Sequence, residues 1–248
     1  MTPQQIIARR CTLSISARCP KTGALGIAVA SGSVAIGSRC PHLVPQLGVI
    51  STQGFTNPRL APLALDLLRH ALLPSEVIAS LRQYDRWIDF RQISILAADG
   101  ALSVHTGPRV APWCGQWSGP GLIVMGNGLA DGGPLSAMEV AYAAGASLPL
   151  HRRLLGAIER GKSIACGRNG LQSAALLCCG PEQRTRIDLR VDLAEVDAVA
   201  ELRRATERYA PLVSYYETWP DNPAIGDWWD WQDPTVTIQK PKPTGEKA

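Results

Sequence analysis

No window of this 248-residue chain approaches the ~18 consecutive apolar residues of a membrane span. Met1 to Arg10 also lacks the apolar stretch of a secretory signal. Both absences point to a cytoplasmic protein with no membrane partner. There is no Lys/Arg run, and a net charge of +4 is small for this length, so nothing favours nucleic acid as a partner. The seven cysteines form no Cys-x-x-Cys pair, and only Cys178 and Cys179 are adjacent. Neither a disulfide framework nor a zinc site is signalled, and reduced, buried thiols are expected instead. His42, His70, His105 and His151 lack ligand spacing, which argues against a metal. No Ser-His-Asp pattern is visible. Gly126-Asn127-Gly128 is not followed by a phosphate-loop lysine, which argues against a nucleotide. No cofactor is expected.

What is present begins at Cys11. Leu13 and Ile15 alternate with Ser14 and Ser16; after Pro20 and Gly23, Leu25, Ile27 and Val29 alternate with small residues. This pattern predicts a β-hairpin. If Arg18 pairs with Ala24, Leu13 faces Val29 and Ile15 faces Ile27, making one face greasy and the other small-residue. In either neighbouring register Cys11 and Thr12 come level with Ala30, Ser31 and Gly32, so a thiol, a hydroxyl and a glycine turn meet at one strand end.

With 46% hydrophobic residues the chain can bury one substantial core. A Gly/Ser-rich loop after Ser31 leads to a strand over 47–53, and apolar spacing predicts helices over 60–72 and 76–84. Strands over 92–98 and 102–106 are joined at Asp99-Gly100. The segment 108–120, with its prolines, reads as a loop, and 122–125 as a strand. A Gly-rich loop over 126–133 precedes helices over 134–144 and 150–160, with Gly161 as C-cap. Strands over 173–179 and 186–191 and a helix over 194–209 follow. The order lacks βαβ regularity, so the expected class is α+β rather than a Rossmann sheet. From Pro211 the chain becomes a Trp-rich tail with too little periodicity for a helix; its rings need burial on the domain or a partner, and residues 240–248 are expected to be disordered.

Thr12-Leu13-Ser14-Ile15 with Ala17-Arg18, Pro20, Thr22-Gly23, Leu25-Gly26 and Ala28-Val29-Ala30-Ser31 resembles the opening of the DUF1028 family, assigned to the Ntn-hydrolase superfamily. Further matches follow in order. They are Ser51-Thr52-Gln53 with Phe55-Thr56-Asn57-Pro58, Pro112-Trp113 with Gly115, Gly126 to Ala130, Gly170 to Leu176, and Asp188 to Asp192. The resemblance spans Cys11 to Tyr209 and implies a four-layer αββα sandwich of antiparallel sheets. It divides the chain into a removable leader over 1–11, an Ntn-hydrolase-like domain over 12–210, and the tail over 211–248.

The superfamily mechanism uses a Thr, Ser or Cys whose own free α-amine, with a pKa of about 7.7–8, serves as base. By resemblance the nucleophile maps to Thr12. Family members commonly begin Met-Thr; here Met1 precedes Thr2, which opens no strand, so the Cys11-Thr12 bond has to be cut. Cys11 is the rival nucleophile, through cleavage at Arg10-Cys11; ordinary strand roles remain open for both. Ser31 either hydrogen-bonds the α-amine or starts a turn, and Asn127 either donates to an oxyanion or tolerates a left-handed turn. Gln53 and Asn57 flank Gly54 where an amide can orient substrate, Asn57 being also a helix cap. Gln172 and Ser173 enter a buried strand; the family's Asp and Lys just upstream are replaced by Ile164-Ala165-Cys166. Asp188 and Arg190 share a strand face, either salt-bridged or at the site. The expected function is an amidohydrolase cutting a C–N bond of an amide, ureide or peptide-like small molecule, acting as a homo-oligomer. The alternatives are a non-catalytic binding module or scaffold on the same fold, and a Cys11-dependent thiol hydrolase.

Overall fold

The structure, a computed structural model, describes residues 11–111, 113–166, 170–182 and 186–228. The elements in chain order are β1 Thr12–Arg18, β2 Leu25–Ser31, β3 Pro41–Val44, β4 Gly48–Gly54, α1 Leu60–Arg69, α2 Pro74–Tyr84, β5 Arg91–Ala97 and β6 Leu102–Thr106. They continue with β7 Gly115–Gly119, β8 Leu122–Asn127, α3 Gly133–Ala144, α4 Leu150–Cys166, β9 Ser173–Cys179, β10 Arg186–Val191, α5 Ala198–Tyr209 and α6 Val213–Thr218. Among the described residues one sheet has six strands in the order β10-β9-β2-β1-β8-β7, the other four in the order β3-β4-β5-β6. Every strand pair is antiparallel, as the α+β expectation requires.

The opening hairpin forms, one residue out of the expected register. Cys19 N–H donates to Ala24 O (2.7 Å) and Gly23 N–H to Cys19 O (2.9 Å), closing the loop over 20–23. Gly23 there has φ +72°, a conformation most side chains resist. Arg18 therefore pairs with Leu25, Leu13 with Ala30 and Ile15 with Ala28. Because strand faces alternate, this shift exchanges partners across the pair. Leu13 and Ile15 share a face with Ala28 and Ala30, while Ser14 and Ser16 lie beside Val29 and Ile27, so each face mixes large and small residues.

That mixture decides where the cores sit. On one face of the six-stranded sheet, Leu13, Ile15 and Ala28 pack with Met138 of α3, Leu154 and Ile158 of α4 and Leu202 of α5. Between the sheets, Ile27, Val29, Ile123 and Met125 meet Val49 and Leu96. Behind the four-stranded sheet, Ile50, Ile93 and Ile95 pack against Leu60 and Leu65 of α1 and Val77 and Leu81 of α2. Full burial of each Leu or Ile contributes about 1.5–3 kcal/mol.

Four further expectations are corrected. β3 lies between the Gly/Ser-rich loop and the strand over 47–53, where no element was expected, and β7 lies within the proline-bounded segment read as a loop; each sits at a sheet edge, where short and Pro- or Gly-flanked strands are tolerated. α4 continues through Gly161 to Cys166 because Gly161 lets α4 pass close to Met138 and Leu13: a Cβ there would lie 2.5 Å from Met138 Cγ. The tail does form a helix, α6, whose Tyr215 is buried and donates its hydroxyl to Gly226 O at 2.8 Å. The leader 1–10, Trp229, Trp231 and residues 240–248 lie outside the described residues.

Candidate functional site

Thr12 opens β1, the strand with β2 on one side and β8 on the other, and it pairs with Ser31 across one ladder and Asn127 across the other. Alternation turns Thr12, Ser14, Ser31 and Asn127 toward the four-stranded sheet, away from the helices. Thr12 Oγ1 lies 2.9 Å from Ser31 Oγ. Ser31 Oγ also donates to Cys11 O (3.3 Å), lies 3.0 Å from Ser33 Oγ and accepts from Ser33 N–H at 3.2 Å. Gly32 N–H donates to the same Cys11 carbonyl at 2.9 Å. The carbonyl of the Cys11-Thr12 peptide bond is thus held by two donors, with the Thr12 hydroxyl beside one of them. Thr12 is only 7% exposed.

A chain of amides backs this group. Ser14 Oγ donates to Gln53 Oε1 (2.7 Å), and Gln53 Nε2 donates to Gln92 Oε1 (2.6 Å), which also accepts from Asn127 Nδ2 at 3.3 Å. Gln92 Nε2 in turn donates to Thr106 Oγ1 (3.0 Å), Gly115 O (2.9 Å) and Gly126 O (3.3 Å). Gln53, Gln92 and Asn127 are all buried, so this network fixes the Asn127 amide beside the start of β1. Gln92 is the residue that the sequence reading missed. Its signal was parity: Gln92 and Ser94 are polar at alternate positions of a strand whose intervening Ile93 and Ile95 are apolar.

At the outer edge, Arg39 Nη2 donates to Val34 O (2.9 Å) and Ser33 Oγ (3.3 Å), placing a guanidinium two hydrogen bonds from Ser31. Cys11 does not join the group. Alternation sends its side chain to the helix face with Leu13, where it is fully buried. A hydrogen bond with Cys166, then burial, pushes the Cys11 thiol well above its usual range, opposite to what a nucleophilic thiol needs.

The remaining candidates are placed elsewhere or hold structure. Asn57 Oδ1 accepts from Arg59 N–H at 3.2 Å and its Nδ2 donates to Asp85 at 3.2 Å, so it holds the turn before α1; the N-cap of α1 is Arg59, and Asn57 is neither the expected helix cap nor part of the Thr12 group. Ser173 Oγ donates to Ser33 O (2.6 Å) and accepts from Ile36 N–H (3.0 Å), pinning the loop after Ser31. Gln172 contributes through its backbone, N–H to Ser31 O at 2.9 Å, with its side chain exposed. Asp188 and Arg190 are exposed on the edge strand β10, three strands from β1, and Arg190 is paired with Asp192 at 2.7 Å.

Among the described residues no group of His, Cys, Asp and Glu could hold a metal ion, and no helix is long and apolar enough to cross a membrane. Hydroxyls, amides and backbone dipoles are what this site offers.

The chain is similar to the crystal structure of protein SPO2555 from Silicibacter pomeroyi, which carries the family model DUF1028. The identity is 28%, over 81% of this chain and 86% of that one, with a TM-score of 0.75. Among curated proteins no match was found. The model of a family of unknown function, DUF1028, matches residues 12–202 and so begins at the first residue of β1. The chain belongs to the DUF1028 family.

Proposed function

We propose that this protein is an N-terminal-nucleophile amidohydrolase on a four-layer αββα sandwich, with Thr12 as nucleophile once residues 1–11 have been removed. The three apolar clusters, with helices against one sheet, sheet against sheet and helices against the other, support that architecture. One observation carries the chemistry: the Thr12 hydroxyl and the Cys11 carbonyl share Ser31 Oγ, with Gly32 N–H as second donor to that carbonyl.

Such an arrangement suits self-cleavage. Thr12 Oγ1 adds to the Cys11 carbonyl carbon while Ser31 Oγ–H and Gly32 N–H stabilise the oxyanion. The C–N bond breaks as the nitrogen takes the hydroxyl proton, leaving an ester between Cys11 and Thr12 Oγ1. Water then hydrolyses the ester, releasing the Cys11 carboxylate and a free Thr12 α-amine. In the mature enzyme that amine takes the proton from Oγ1 as the hydroxyl attacks a small-molecule amide. A positioned base contributes roughly 10²–10⁴-fold in rate. Asn127, whose Nδ2 is held by Gln92, pairs with Thr12 across the β1–β8 ladder and serves as the amide donor to the substrate oxyanion. The proton returns to the leaving amine, and water clears the acyl-enzyme.

Intact-mass measurement tests this directly. Wild-type protein should lose residues 1–11, and Thr12→Ala should keep them and show no turnover against a panel of amides, ureides and dipeptides. A chain in which residues 1–11 are replaced by a single Met, removable in the cell, should be active without self-cleavage. Full-length protein that turns over substrate, and still does so as Thr12→Ala, overturns the free-amine mechanism and favours a different chemistry. Full-length protein without any turnover favours a binding module on the same fold.

A further inference from the structure

At the opposite end of the β1–β2 hairpin from Thr12, about 20 Å away along β1 at ~3.3 Å per residue, lies a cavity of about 660 Å³. It falls within the ~300–1,000 Å³ of small-molecule sites. It opens between the hairpin turn, the segment joining α3 to α4, and the end of β9. Leu148, Ile187 and the Cys178 side chain give it apolar walls. Lys21 from the turn and Arg153 from α4 supply positive charge, and no described lining residue is acidic. Arg153 is held in place: its Nε and Nη2 both donate to Tyr142 O at 3.3 Å, and its guanidinium stacks 3.8 Å from the Tyr142 ring centroid. Lys21 is exposed and free to swing over the mouth.

An apolar chamber with a fixed cation on its wall and a mobile one at its rim is complementary to one class of ligand. It suits a small molecule with an apolar body ending in a single anionic group. We infer that this cavity is a second binding site, separate from the Thr12 site, for a carboxylate with an apolar tail. Lys21 and Arg153 take the head group, and Leu148 and Ile187 line the tail. A neutral molecule of the same length gains the apolar contacts but not the charge pairing, so the head group sets the preference.

Cys19, on the cavity lining, reports occupancy. Burial raises its pKa, but hydrogen bonds from the Thr22 hydroxyl and the Thr22 and Lys21 amides, with the Arg153 charge, outweigh burial and lower it overall. It is therefore reactive enough to label.

Calorimetric titration of the full chain with octanoate and octanol tests the site. Octanoate is expected to saturate at one equivalent and to bind about tenfold more tightly than octanol. Lys21→Glu should weaken octanoate at least fivefold and leave octanol unchanged. Leu148→Trp, which fills the chamber from a half-exposed position, should abolish both. Bound octanoate should also slow iodoacetamide labelling at Cys19 severalfold, a signal lost in Cys19→Ser. Equal binding of acid and alcohol, octanoate affinity unmoved by Lys21→Glu, unaltered binding in Leu148→Trp with native thermal unfolding, or the absence of saturable binding to the wild type each overturns the inference.

Discussion

Gln92 joins the two sheets through five side-chain hydrogen bonds, and its removal orphans two buried donors, Gln53 Nε2 and Asn127 Nδ2. Gln92→Ala is expected to cost about 3 kcal/mol in urea denaturation and, by releasing Asn127, to lower kcat more than it changes KM. A second residue-scale prediction concerns Asp85, whose carboxylate accepts from Trp87 N–H (3.0 Å), Arg91 Nε (3.0 Å) and Asn57 Nδ2 (3.2 Å). Burial alone would raise its pKa, but those bonds outweigh burial and lower it. A carboxyl with a depressed folded-state pKa stabilises the protein above its unfolded value of about 3.9, and that contribution disappears as pH falls through the folded value. The Tm gap between wild type and Asp85→Asn should therefore be full at pH 7 and shrink progressively below about pH 4. Thr12 was legible through the family resemblance and Ser31 through the hairpin pattern, whereas Asn127 was read in a Gly-rich loop and instead closes β8. Gln92 was not legible, because a polar residue opening a strand looks solvent-facing until the second sheet is placed over it. Ser173 shows the reverse: a site candidate in the sequence, its hydroxyl donates to the Ser33 carbonyl across 140 residues of chain and so pins a loop.

At the scale of elements, alternation and helical spacing carried most of the fold: both hairpins, the two helices behind the smaller sheet and the β9–β10 pair were readable. What failed was any feature fixed by close approach of a distant surface. The length of α4 is the clearest case, since Gly161 reads as a stop signal yet sits mid-helix against Met138 Cγ and Sδ, at 2.5 and 2.6 Å from an added Cβ, with Leu13 Cδ1 at 3.3 Å. Gly161→Ala gains about 1 kcal/mol of helix propensity but overpacks at a cost of about 1–3 kcal/mol, so a net loss of about 1 kcal/mol is expected by chemical denaturation. In a Met138→Ala background, where the space is vacated, the same substitution should become neutral or stabilising. If Gly161→Ala destabilises both backgrounds equally, Met138 is not what constrains the helix. The hairpin register failed for a related reason: the loop length was set by the Cys19–Ala24 hydrogen bond, which no pattern of apolar residues reveals.

For the molecule as a whole, the placement of β1 matters most. It is flanked on both sides within the six-stranded sheet and packed on both faces, by helices and by the second sheet. Amide hydrogen exchange in β1 and β8 should accordingly be among the slowest in the protein, and it should remain slow after residues 1–11 are gone. Chain ends ordinarily fray. A terminus made by cutting here is instead born inside two ladders, with Ser31 on one side and Asn127 on the other. Its amine would be immobilised before any substrate arrives, and the entropy of aligning base with nucleophile would have been surrendered during folding, well ahead of the reaction.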